Sequence, residues 1–258
     1  MTSKVVFLDT SIQIERLIGS RSRRHLIEMQ LASHTIQPIT SHYVFMEFQR
    51  SLWADYIRVY NTLLIHTSWD DMAHALRTGN HAYRPRSVSR CLQILTQTMV
   101  ACRLDQAYGI DLLKIQIRRS LPRHFWHNVA TVETQIACDL VQQGIMEKLD
   151  GTLSVKESCR KASAACHLPS FLTKNVERLH LILEHLQQNP KVVKKQDRLV
   201  AILTKIIASP KDALGQSTCW PLGDIIIALQ IPMNASLWTI DKDFSALAKA
   251  LSIPRFQL

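Results

Sequence analysis

Five acids stand at the edges of short apolar runs: Asp9 after KVVFL, Glu47 inside HYVFMEF, Asp224 ahead of IIIAL, and Asp241 and Asp243 after SLWTI. Carboxylates gathered in one place raise one another's pKa and ionise together only beside compensating positive charge. Oxygen-only ligands select a hard cation, so Mg²⁺ or Mn²⁺ is the expected counter-ion. Such an ion would activate water and stabilise the charge that builds on a phosphodiester during in-line displacement. The chemistry expected of these residues, once the chain brings them together, is metal-dependent phosphodiester hydrolysis.

The elements that must position them are legible in outline. Lys4–Leu8 is a continuous run rich in β-branched residues, which predicts a buried parallel strand ending at Asp9. Thr10 or Ser11 can then cap a helix through Ile12, Ile14, Leu17 and Ile18, with Gly19 as its stop. A second helix is expected over Arg21–Ala32, with Leu26, Met29 and Leu31 on its apolar side, followed by a second strand over Thr35–Ile39. Ser41 is placed to cap a helix from His42 to Tyr60, which carries Glu47 in its second turn. Near the other end, Ile225–Gln230 reads as a helix opened by Asp224, and Ser236–Ile240 as a strand that delivers Asp241 and Asp243. Strand–helix alternation predicts an α/β fold with a parallel sheet flanked by helices, and ligands in such sheets bind outside the carboxyl ends of the strands. Asp9 would stand there.

Between these two parts the texture changes. Residues 67–216 read as a large all-α insertion, with helices expected over Ser87–Leu104, Ile110–Arg119, Phe125–Leu149, Ser154–Ala165, Leu172–Leu186 and Gln196–Ala208. The α/β core is then discontinuous, made of residues 1–66 and 217–258. The net charge of +10 is concentrated in the insertion: residues 76–215 hold 21 Lys and Arg against 11 Asp and Glu, whereas the flanks balance at 10 and 10. A localised basic surplus is the electrostatic footprint of a polyanion partner, or else a solvated helical face. Arg118, Arg119 and Arg123, beside His124 and Trp126, join cations to aromatics as a single-strand groove or a solvated helix corner does, and Lys191, Lys194, Lys195 and Arg198 form the densest cationic run, suited to phosphate contact or to solubility alone. His124, His127, Cys159, Cys166 and His167 complete no four-ligand zinc spacing and are expected in packing roles.

Composition bounds the rest. With 258 residues and 47% hydrophobic content, the chain can bury a large core, and no run approaches eighteen apolar residues. The leading VVFL is too short for a signal peptide. Six cysteines without a CxxC pair suit reduced thiols in the cytoplasm, the expected location, with no membrane partner.

Four of the motifs, in this order, resemble the PIN-domain nucleases: VVFLDTS, Ser41 six residues before Glu47 in SHYVFMEF, GDIIIAL, and TIDKDF from Thr239 to Phe244. The resemblance covers under half of the chain, because the basic block between Glu47 and Asp224 has no counterpart in that family. It implies a PIN-like central sheet and a metal-dependent endoribonuclease that leaves 5′-phosphates, with Asp9, Glu47, Asp224 and Asp241 as catalytic residues holding Mg²⁺ or Mn²⁺. Thr239, Asp243 and Ser11 would support them. RNA is the partner it implies, with DNA open as an alternative, and many members are toxins of toxin–antitoxin pairs, so an antitoxin-like inhibitor belongs to the same expectation; a homodimer is open beside it. The other reading is a PIN-like module that binds RNA or protein without catalysis.

Overall fold

In a run such as KVVFL both faces must be buried, and the middle of a parallel sheet is where that happens. The computed structural model describes residues 3–78, 85–131, 136, 145–155, 166–190, 192–193, 196–213 and 216–257. Lys4–Leu8 forms β1, in which Val6, Phe7 and Leu8 are fully buried. Ile36–Thr40 forms β2, Ala130–Thr131 β3, Ile145–Glu147 β4, Leu153–Val155 β5 and Ser236–Trp238 β6. The parallel sheet has four strands in the order β3-β2-β1-β6, while β4 and β5 pair separately as an antiparallel ribbon. The fold is therefore mixed α/β and mostly helical around a small parallel sheet, the class expected from the strand–helix alternation.

The period of two along β1 divides the core. Val6 and Leu8 face the first two helices, α1 (Thr10–Ile18) and α2 (Arg21–Leu31), in a cluster with Ile12, Ile27, Leu31 and Trp238. Phe7, with Ile39 and Leu237, faces the larger core, which continues without a break into the helices of the middle of the chain through Leu63, Leu113, Phe171 and Leu179. The helix after β2 is α3 (His42–Phe48), prolonged by a π-type turn at Gln49–Trp53 and by α4 (Ala54–Ile65). Beyond α5 (Trp69–Thr78), the middle holds α6 (Pro85–Ala101), α7 (Gln106–Ile115), α8 (Leu121–Trp126), α9 (Leu168–Lys174), α10 (Val176–Gln188) and α11 (Gln196–Ala208). After α12 (Gln216–Cys219) come α13 (Gly223–Gln230), β6 and α14 (Phe244–Ala250). Leu237 exchanges backbone hydrogen bonds with Pro254 and Phe256, so the outer edge of β6 is covered. Among the described residues no helix is long and apolar enough to cross a membrane.

Several expectations are corrected. The block at 67–216 is not all-α: it supplies β3 to the sheet and the β4–β5 ribbon. Of the helix expected over Phe125–Leu149, Phe125 and Trp126 instead close the helix before them, Ala130–Thr131 and Ile145–Glu147 lie in strands, and 132–135 and 137–144 fall outside the described residues. Pro122 follows directly on the π-type turn Gln116–Ser120, and the helix stops at Trp126. His127 is extended and Asn128 has a φ of 58°, a left-handed kink that asparagine tolerates, so the chain leaves the helix and pairs with Ile39 and Thr40. Ser154 and Val155, expected to open a helix, lie in β5, and 156–165 fall outside the described residues. The helix expected over Leu172–Leu186 is two, meeting at Asn175. In α2 the buried residues are Ile27 and Leu31, whereas Leu26 and Met29 are exposed, because the sheet lies one residue further round the helix. Among the described cysteines Cys91, Cys102 and Cys166 are free thiols.

Candidate carboxylate site

Register decides which residues meet at the carboxyl edge of the sheet. Leu8 pairs with Trp238, and Phe7 with Ile39, so the next residues, Asp9, Thr239 and Thr40–Ser41, leave the three strands side by side. Thr40 donates its hydroxyl to the Leu8 carbonyl at 2.8 Å, which ties β1 and β2 together at the point where both end.

Asp9 is almost completely buried and accepts three hydrogen bonds: from the Thr239 hydroxyl at 2.6 Å, the Ser11 hydroxyl at 2.7 Å and the Ile12 amide at 3.1 Å. The last makes Asp9 the cap of α1, a role expected of Thr10 or Ser11. Burial pushes its pKa up to about 6 against the pull of those donors, and the charge of Asp241 adds to the rise. Thr239 also accepts from the Asp241 amide at 2.9 Å, and Asp241 in turn accepts from the Asp243 amide at 3.0 Å, so TIDKD folds back on its own side chains. Asp243 precedes α14 without making a capping hydrogen bond. Ser11 closes the opposite side by accepting from the Ile240 amide at 3.1 Å.

Glu47 reaches the same place from α3. Thr10 donates to its Oε2 at 3.0 Å, and its Oε1 lies so close to the start of α13 that a Cβ on residue 223 would overlap it. The residue as a whole is half-buried, but its carboxylate is enclosed between Thr10 and Gly223, and this deep burial is what pushes its pKa up to about 8. Asp224 and Asp9 raise it further, and Arg50 opposes them. Asp224, in the first turn of α13, is pushed up to about 7 by burial and then by Asp241, Asp9 and Asp243. Its side chain is nonetheless exposed; a group crowded by protein on one side and open to water on the other satisfies both observations. The far end of α13 is fixed by Arg178 of α10, which donates to the carbonyls of Leu229 at 2.6 Å and Ala228 at 3.3 Å.

The sequence-derived acids Asp9, Glu47, Asp224, Asp241 and Asp243 are thus drawn into one electrostatically coupled group, with Thr239 and Ser11 at its centre. Among the described residues, no three Asp, Glu, His or Cys side chains converge closely enough, as oriented, to hold one ion directly. The donor chemistry, carboxylates and hydroxyls, is that of a hard divalent cation. Sequence reasoning missed Thr10 as the tether of Glu47 and Gly223 as the residue that makes room for it. The signal was present in LDTS, where three consecutive oxygen-bearing side chains follow the strand, and in the glycine immediately ahead of Asp224.

The basic residues do not form one surface element. Arg118 of the π-type turn Gln116–Ser120 pairs with Glu147 of β4, as does Lys114 at 2.8 Å. Arg119, Arg123 and Arg198 are exposed and make no ion pair among the described residues. Lys191, Lys194 and Lys195 lie outside the described residues. His124 stands 3.5 Å from Glu28, and burial and the charge of Arg16 hold it neutral by pushing its pKa down to about 4. Phe125 is core, packed on Phe45 and Phe48.

Compared with protein-family models, curated proteins and solved structures, the chain matches none.

Proposed function

We propose that the chain is a metal-dependent endoribonuclease of PIN type, with Asp9, Glu47, Asp224 and Asp241 as its catalytic acids. The observation that carries this reading is the mutual electrostatic contact of acids from three separate parts of the chain at the carboxyl edge of the sheet, three of them with pKa values raised to between about 6 and 8. A fold gains nothing in stability from assembling such a group; sites that bind or react are where this is found. Asp9, Asp224 and Asp241 would hold Mg²⁺ or Mn²⁺, with Glu47 in the same group. When bound, the cation supplies Lewis-acid stabilisation of the negative charge that develops on a phosphodiester under attack by water.

The residues themselves do the positioning. Thr239 and Ser11 fix both oxygens of Asp9. Thr10 and the bare backbone of Gly223 hold the Glu47 carboxylate in place, and its affinity for protons near neutral pH fits it to orient the attacking water and to accept a proton from it. Arg119, Arg123 and Arg198 are available to neutralise backbone phosphates of RNA.

The test is cleavage of a single-stranded RNA by the purified chain in Mn²⁺ or Mg²⁺. Cleavage should stop on addition of EDTA and be absent from the Asp9→Asn/Asp241→Asn double variant; activity that survives either change removes the proposal. A second reading, a module that binds RNA without cutting it, is favoured by the absence among the described residues of three ligands already converged on one point. Its signature is RNA binding indifferent to divalent cations, with intact RNA recovered.

A further inference from the structure

Two side chains without a role in hydrolysis lie just beyond the acids. Arg50 follows Glu47 by three residues, in the π-type turn, and Trp220 precedes Asp224 by four. They meet: the Arg50 guanidinium carbon lies 5.3 Å from the centroid of the Trp220 ring. π-Type turns inside α-helices occur frequently at functional sites, where the extra residue re-aims side chains.

Folding consumes neither of them. Trp220 remains 46% exposed, although a tryptophan has more apolar surface to hide than any other residue. The Arg50 Nε is buried without a hydrogen-bond partner, and Arg50 makes no ion pair among the described residues. Its charge is nevertheless felt by Glu47 and by Tyr43, whose hydroxyl donates to the Cys219 carbonyl at 3.1 Å. A group of acids repels any polyanion brought to it, and a cation at its border offsets that repulsion. A guanidinium held over an indole is planar, always charged and able to fork two N–H bonds onto a phosphate. An exposed indole beside it offers a face on which an unpaired base can stack, which a duplex cannot supply.

We infer that Arg50 and Trp220 form a nucleotide subsite beside the acids, in which Trp220 stacks on a base of single-stranded RNA and Arg50 holds the phosphate attached to that nucleotide. The inference rests on the nuclease reading for its polymer, and it predicts binding that can be measured without cleavage.

The experiment is fluorescence anisotropy of a labelled single-stranded oligoribonucleotide with the full chain, in EDTA at low salt, alongside cleavage assays in Mn²⁺. Trp220→Ala should weaken binding about tenfold, and Trp220→Phe should restore most of the loss. An oligonucleotide carrying one abasic nucleotide, moved position by position, should bind the parent more weakly at one position and bind Trp220→Ala equally at all of them. Arg50→Lys, which keeps the charge but not the plane, should also weaken binding. Thermal melts identify any variant that fails to fold, and Trp220→Phe keeps the stacking test usable if Trp220→Ala does so. Unchanged affinity of folded Trp220→Ala, or an abasic penalty of the same size in both proteins, overturns the subsite while leaving cleavage by the parent intact. The expected binding pattern without any cleavage keeps the subsite and removes the hydrolytic reading; no RNA binding by the parent overturns the subsite.

Discussion

Thr239 and Asp9, 230 residues apart, share a hydrogen bond of 2.6 Å, and the same Thr239 oxygen accepts from the Asp241 amide. One hydroxyl thereby holds the Asp9 carboxylate and the Asp241 backbone. Thr239→Val keeps the shape and removes both bonds; it should lower stability by about 1–3 kcal/mol, the cost of leaving a buried acceptor short of a donor. It also removes the foremost group that lowers the Asp9 pKa, so the rise of cleavage with pH should move to higher pH. Thr239→Ser should behave as the parent in both the melt and the pH profile.

Gly223→Ala tests the contact between Glu47 and the start of α13. The added Cβ overlaps the tip of a flexible side chain, which can swing aside, so the melting temperature should change little. The displaced carboxylate should lose its place beside the other acids, with a fall in cleavage rate of about a hundredfold. Equal loss of stability and rate would mean that the glycine serves packing alone.

A third prediction concerns pH. Asp9, Asp224 and Glu47 have folded pKa values of about 6, 7 and 8, each above the ordinary carboxylate range. A raised acid pKa means that the folded state holds its protons more tightly than the unfolded chain, so the stabilisation is complete below about pH 4 and is lost as pH rises through the folded values. For Asp9, which is fully enclosed, a rise from 3.8 to about 6 corresponds to about 3 kcal/mol. In EDTA the melting temperature should therefore fall between pH 6 and pH 8. Mn²⁺ should raise it, and by more at pH 8, because the cation and the protons compete for the same oxygens. Asp224→Asn should melt higher than the parent in EDTA at pH 8 while losing activity. A melting temperature in EDTA that climbs over this range would contradict the assignment.

The fourth prediction separates paired from free arginines. Each phosphate neutralised contributes about −0.7 to the slope of log affinity against log salt for a single strand. Arg119→Gln together with Arg123→Gln should reduce the slope by about 1.4. Arg118→Gln, whose guanidinium already faces Glu147, should change it less than either.

Local patterns carried much of this fold because they coincide with what burial demands. KVVFL reads as an interior strand, and Ser41 caps α3 by accepting from the Val44 amide at 3.2 Å, as its place directly ahead of the run from His42 suggested. Asp9, Glu47, Asp224 and Asp241 were legible for the same reason: each adjoins an apolar run whose direction is plain. What stayed hidden depends on partners distant in sequence. Ala130–Thr131 has no strand signature of its own and becomes one only because β2 leaves an unpaired edge. Arg118 reads as a free cation until β4 brings Glu147 to it. Arg16 is fully buried, donating to Glu28, to Gln13 and to the His127 carbonyl, and no helical period could announce that a charged residue on α1 would be covered by the turn after α8.

The pairing of β6 with β1 has a consequence in time. Asp9 is made early in translation, but the strand that brings Thr239 and Asp241 to it is made more than 200 residues later. A nascent chain that has not yet released β6 holds Asp9 without its Thr239 donor and Glu47 without Asp224 beside it. A ribosome-bound intermediate would thus carry an unassembled site, and on the proposed nuclease reading the chain would gain activity only once the closing strand docks.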